Sequence, residues 1–263
     1  MAKLLLKTTE HPFQVSERLV FDRNEPHNRD FLYQEHISRY MFASQFVKGK
    51  KVLDIACGTA YGAAFLTRYN PNMLVGVDVS KEALAKGKEN FEGILSLVAG
   101  DATWASFKKG AFDVVISFET LEHLMRYENF VSEMKRVLGN EGLFIVSTPN
   151  KLAFSARDKL YTNRYHFKEF TLDEFYFLLG KYFSDIQLFG EGKMDIKYNA
   201  LRDIRKLLIK KTRFDPLKFY KLGDGRLLNK LFKPVGVYPL QMIEHEGPKF
   251  FIAVCKNKSP EKR

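Results

Sequence analysis

At 263 residues, 45% of them hydrophobic, the chain has the length for one α/β domain with additions and a substantial core. No run is long and apolar enough to span a bilayer, and Met1–Lys7 has only three consecutive leucines, too few for a signal-peptide core. Cys57 and Cys255 lie far apart without metal-like or redox-like neighbours, so both read as small core residues of a cytoplasmic protein. The net charge of +11 is unevenly spread: residues 1–190 carry 24 Lys and Arg against 23 Asp and Glu, whereas residues 191–263 carry 18 against 8. A basic face of that kind attracts phosphate on nucleic acid, an anionic membrane or a phosphorylated substrate, or it serves solubility alone.

In chain order, residues 1–29 read as irregular and polar. A helix over about 30–47 follows, with Phe31, Ile37, Tyr40, Met41 and Phe46 on a partly apolar face. The first strand is Lys51 to Ala56, with its helix at 60–69, and Pro71-Asn72 turns into a second strand at 73–78. Ser80 is the expected N-cap of the next helix. Further strands are expected at 94–98, 112–117 and 142–147. A helix at 127–138 is expected to be closed by Gly139-Asn140, and Thr171-Leu-Asp-Glu174 is a capping box. The last strands are 183–189 and 249–255. The domain plan is an N-terminal segment with a lid helix (1–49), a core (50–190 and 249–256) and a basic insertion (191–248). Within the insertion, Leu201, Ile204, Leu207 and Leu208 share one face of a predicted helix over 200–211, and Arg202, Arg205, Lys206 and Lys210 the other.

The chemistry-bearing residues fall at strand ends. Val52–Ile55 and Met73–Val77 are near-continuous apolar runs, as strands buried on both faces require. In a doubly wound sheet the ligand lies outside the carboxyl ends of the strands, where Asp54, Gly58, Asp78 and Asp101 stand. Asp54 also suits a turn cap and Asp78 a helix N-cap, but capping does not require acidic residues at successive strand ends.

The run Lys51-Val-Leu-Asp-Ile-Ala-Cys-Gly-Thr-Ala-Tyr-Gly62, with Val75-Gly-Val-Asp-Val-Ser80 and Ala99-Gly-Asp-Ala102, resembles class I S-adenosylmethionine-dependent methyltransferases. A nicotinamide dehydrogenase is the rival, but Ala56 lacks the first glycine of the dinucleotide fingerprint, and Asp54 would repel a pyrophosphate. The resemblance implies a Rossmann-like α/β fold with a doubly wound seven-stranded sheet whose last strand is antiparallel, and S-adenosyl-L-methionine as cofactor. It implies cofactor contacts from Arg39, Tyr40, Asp54, Ala56, Gly58, Tyr61, Asp78, Val79, Asp101, Ala102 and Phe118. Asp78 would accept the ribose hydroxyls and Asp101-Ala102 would hold the adenine. Ala56 and Ala60 replace two of the usual three glycines, a change compatible with negative φ at both positions.

Phe118-Glu119-Thr-Leu-Glu122-His123 follows the fourth strand. His123 suits general-base work on a hydroxyl acceptor, with Glu122 and His166 beside it as catalytic candidates; Glu122 and His123 also suit loop organisation. Glu119-x-x-Glu122-His123 is similar to the metal-holding motif of ubiquinone-type and small-RNA methyltransferases, with His166 as a further ligand; the metal-free reading is preferred. Glu35-His36-x-x-Arg39-Tyr40, Ser147-Thr-Pro-Asn-Lys151 and Tyr165-His166-x-x-Glu169-Phe170 resemble methyltransferases of surface-polysaccharide and glycan assembly. In that subset Arg39 would pair with the cofactor's carboxylate; a surface ion pair is the alternative. The expected acceptor is an anionic or phosphate-bearing, glycan-linked molecule, with peripheral contact at the inner face of an anionic membrane. Nucleic acid is a weaker partner. An RNA or quinone-type enzyme and a non-catalytic scaffold are the competing readings.

Overall fold

The computed structural model describes residues 30–93, 95–155, 165–193, 237–239 and 248–258. The predicted helix 200–211 and the irregular segment 1–29 lie outside them.

Helix α1 (Asp30–Ala43) ends in a 3₁₀ turn, Ser44–Phe46, and leads into β1 (Lys51–Ile55). Then come α2 (Tyr61–Leu66), β2 (Met73–Asp78), α3 (Lys81–Asn90), β3 (Ser96–Ala99), β4 (Phe112–Ser117), α4 (Tyr127–Val137) and β5 (Leu138–Pro149). The chain continues through α5 (Lys151–Ser155), α6 (Leu172–Gly180), β6 (Asp185–Lys193), β7 (Val237–Pro239) and β8 (Pro248–Lys256). The sheet order is β3-β2-β1-β4-β5-β8-β6-β7. β1 to β5 pair in parallel, and β8 runs antiparallel between β5 and β6. The seven core strands and the antiparallel last strand are as expected. β7 is an additional three-residue edge, and it lies, with the last three residues of β6 (191–193), inside the segment assigned to the insertion.

Period-two alternation assigns the two faces of the sheet. Leu53, Ile55, Val115, Phe144, Val146 and Phe251 join α4 and α6 in one core. Val52, Val114, Ile116, Ile145 and Ile252 join α1 and α2 in the other. Ser80 caps α3 by accepting the Ala83 N–H at 3.1 Å, and Thr171 and Glu174 form the predicted capping box. One expectation fails: Gly139 and Asn140 do not close α4. The helix passes at Leu138 directly into β5, because Leu138 pairs with Phe112, and the irregularity is taken up at Glu141, with φ 62°.

The strand order reverses between β1 and β4, so the crevice over their carboxyl ends is where a ligand is received. Two loops meet there, 56–60 after β1 and 118–123 after β4.

Candidate active site

The loop after β1 is built from alternating left-handed residues: Ala56 has φ 60°, Gly58 φ 57° and Ala60 φ 58°. The expected negative φ at the two alanines is therefore wrong. The loop keeps the path that glycine normally makes available, and each alanine carries roughly 1–2 kcal/mol of left-handed strain. Gly62 is required for a different reason: a Cβ there would lie 1.9 Å from the Tyr40 ring.

That close approach seats Tyr40 over the loop. Its hydroxyl donates to Asp54 at 3.2 Å, and its ring meets Phe118 edge-on at 5.0 Å. Asp54 is not exposed at the strand end: it lies on the α1 face of β1, buried. Burial pushes its carboxyl up to about 7, the Tyr40 hydroxyl opposing and Asp78 adding to the rise. Burial, then Asp54, keeps the Tyr40 phenol well above its usual range, so the hydroxyl stays a donor.

Asp78 braces both loops around it. Its Oδ2 accepts the Gly58 N–H and its Oδ1 the Ser80 N–H, each at 2.8 Å. Val79, next to it, is 53% exposed. Asp101 is exposed and accepts from Thr103 N–H and Oγ1, and Ala102 is half-buried. Tyr61 is buried, with its hydroxyl 2.8 Å from His36 Nδ1; burial, with Arg39, holds that imidazole well below its usual range.

Arg39 is fully buried, which replaces the surface ion pair weighed above. Its Nη1 pairs with Glu191, which also accepts from Ser38, and its guanidinium lies 4.6 Å over the Phe250 ring. Among the described residues its Nε and Nη2 have no hydrogen-bond partner. Burial opposes the cation, but Glu119 and Glu191 outweigh it and keep Arg39 charged. On the same helix Glu35 pairs with Lys249 at 2.6 Å. Glu191 and Lys249 escaped the sequence reading because their pairing spans more than 150 positions.

The loop after β4 is held by reciprocal bonds. Glu119, at φ 51°, accepts from Ser147 Oγ at 2.7 Å and donates its N–H to the same oxygen at 3.0 Å. Glu122 is buried and accepts from Thr148 Oγ1 at 3.1 Å. Burial, then Glu119, holds its carboxyl well above the usual range. His123 Nδ1 lies 3.1 Å from the Tyr165 carbonyl and its Nε2 3.9 Å from Glu122 Oε1. The His166 ring meets His123 edge-on at 4.9 Å, and its Nδ1 lies 3.1 Å from Glu169. One ligand atom each from Glu122, His123 and His166 fall within 4.8 Å of one another, a set able to take a cation. The structure thus gathers all three catalytic candidates, Glu122, His123 and His166, in one cluster.

Comparison with known proteins agrees with this geometry. Residues 53–146 match the family model described as a methyltransferase domain. A probable S-adenosylmethionine-dependent methyltransferase of Mycolicibacterium smegmatis is 29% identical over 145 residues, 55% of this chain and 56% of that protein. A fatty-acid O-methyltransferase of the same organism is 33% identical over 102 residues, 38% of this chain and 37% of the relative. The chain thus spans about half the length, or less, of these curated relatives. A Thermotoga maritima structure described as a SAM-dependent methyltransferase, possible histamine N-methyltransferase, superposes with TM-score 0.59 at 14% identity, over 88% of this chain and 94% of that one; at that identity it shows the fold alone. Residues 53–146 of this chain are thus similar to S-adenosylmethionine-dependent methyltransferase domains, a likeness that implies an enzyme fold with S-adenosylmethionine as cofactor.

The residues present fit that cofactor. Nε and Nη2 of Arg39, the two unpartnered nitrogens, form the side of a guanidinium that receives a carboxylate bidentately, and a buried donor pair left empty is costly.

Proposed function

We propose that the protein methylates a hydroxyl of a saccharide acceptor, glycan- or lipid-linked, with His123 as general base. The observation that carries this reading is the orientation of His123. A carbonyl oxygen only accepts, so Nδ1 beside Tyr165 O carries the proton, and Nε2 keeps the lone pair. Nε2 can take the acceptor's proton, and Glu122 Oε1 lies 3.9 Å from it. The bound cofactor supplies an electrophilic methyl carbon and a neutral leaving group. Arg39 would hold its carboxylate, Asp78 its ribose and Asp101-Ala102 its adenine, while Tyr40 and Phe118 exclude water beside it. The relatives support an oxygen or a lipid acceptor by name: one is a fatty-acid O-methyltransferase and another a phthiotriol/phenolphthiotriol dimycocerosates methyltransferase of Mycobacterium ulcerans, 32% identical over 132 residues, 48% of this chain and 46% of the relative.

A second reading is favoured by the Glu122, His123 and His166 cluster, which suits a divalent cation that would bind and polarise the acceptor oxygen. The two separate cleanly. With a general base, His123→Ala lowers turnover by about 10²–10⁴ while cofactor affinity holds, and chelators have no effect. Loss of activity on chelation, restored by Mg²⁺, establishes the metal reading instead. Full activity of His123→Ala removes both.

A further inference from the structure

Three large apolar side chains stand exposed on the segments that carry His123 and His166 or are bonded to them: Met125 at 75%, Leu152 at 65% and Phe167 at 57%. They come from three segments far apart in sequence, yet the backbone ties those segments together. Phe167 and Lys168 N–H both donate to the Glu122 carbonyl, at 2.8 and 3.2 Å. Lys151 N–H donates to the Phe170 carbonyl at 3.0 Å, and Asn150 bridges Phe170. The Tyr127 and Phe170 rings meet at 5.5 Å, with Lys168 Nζ over both. The apolar tips therefore belong to one rim rather than to scattered surface.

Each tip also has a cation as its chain neighbour: Met125 precedes Arg126, Leu152 follows Lys151, and Phe167 precedes Lys168. Arg126 and Lys151 are exposed, while Lys168 is half-buried and pairs with Glu174 at 3.2 Å. A clustered exposed apolar patch marks an interaction site. Apolar tips flanked by cations suit one surface above others, a bilayer interface whose acyl boundary takes the tips and whose anionic headgroups take the cations. The charge pattern argues against a protein partner's dry apolar groove, where such cations would be desolvated.

We infer that the rim of the active site docks on an anionic membrane surface, with Met125, Leu152 and Phe167 entering the headgroup layer. A lipid-linked acceptor would then reach His123 without leaving the bilayer; that meaning rests on the proposed function, whereas the docking does not. It is also distinct from docking through the basic insertion.

The test is flotation of the full chain with vesicles of phosphatidylcholine, with and without phosphatidylglycerol. The protein is expected to float with the anionic vesicles. Met125→Ser, Leu152→Ser and Phe167→Ser combined should weaken binding by about tenfold or more, and Arg126→Gln with Lys151→Gln should remove the preference for phosphatidylglycerol. Unchanged binding of S-adenosylhomocysteine checks that the variants fold. Leu152→Ser alone should give a partial loss, so the test survives if the triple variant misfolds.

The inference is overturned if the parent does not float. It is also overturned if the serine variants float as well as the parent while neutralising Arg202, Arg205, Lys206 and Lys210 abolishes binding, or if the rim substitutions weaken binding to single-stranded RNA and the parent ignores vesicles. Flotation reads no turnover, so a failed docking test and an inactive His123 are separate results.

Discussion

Arg39 on α1 and Glu191 on β6, 152 positions apart, form an ion pair in which both side chains are fully buried. This pair fixes α1 to β6, with Nε and Nη2 on the other side of the guanidinium. Removing one partner strands a buried charge, so Arg39→Ala is expected to cost about 3–5 kcal/mol of stability. Replacing both with Met should cost much less. Urea denaturation of the two single variants and the double variant measures the difference; a double-variant loss equal to the sum of the single losses would mean the pair is not a unit.

Asp78 braces two loops and is proposed to hold the cofactor's ribose as well. Asp78→Ala should weaken S-adenosylhomocysteine binding by roughly 1.5–3 kcal/mol, the usual worth of charge-assisted hydrogen bonds. Because the same carboxylate braces Gly58 and Ser80, the variant should also lose stability. Calorimetric titration alongside thermal melting reads both, and a variant with unchanged affinity sinks the ribose assignment.

Gly62→Ala tests the seating of Tyr40. The added methyl would meet the Tyr40 ring, which must leave Asp54 to make room. Melting should fall well below that of Gly58→Ala, where the Cβ meets nothing and only left-handed strain of roughly 1–2 kcal/mol applies. Equal melting temperatures would place Tyr40 elsewhere.

Asp54 predicts an inverted pH dependence. Its folded value of about 7 lies above the ordinary 3.8, so the folded protein binds a proton that the unfolded chain releases. The stability it contributes is complete below about pH 4 and is lost as pH rises through about 7. Asp54→Asn removes this term. The difference in unfolding free energy, parent minus variant, should therefore decline between about pH 4 and pH 7; a flat difference contradicts the burial argument.

The core was readable because its signals are local. Val52–Ile55 and Met73–Val77 announce buried parallel strands, Ser80 and Thr171 announce helix starts, and the acidic strand ends mark the crevice. What escaped was the contact between distant segments. Nothing near Arg39 names Glu191 as its partner, and nothing near Asp54 says that Tyr40 covers it. The left-handed Ala56 and Ala60 were misjudged because propensity disfavours that backbone, whereas the crevice imposes it. Gly139-Asn140 looked like a helix end because composition shows a turn-former and not the strand pairing that captures it.

Arg39, Asp78 and the loop after β1 are proposed to form one cofactor site, which titration of S-adenosylhomocysteine into the parent and into Arg39→Met tests. Saturable binding of one molecule per chain is expected in the parent, and about tenfold or more weaker binding in Arg39→Met because a bidentate charged contact is lost. No binding to the parent, or equal binding to both proteins, would contradict it.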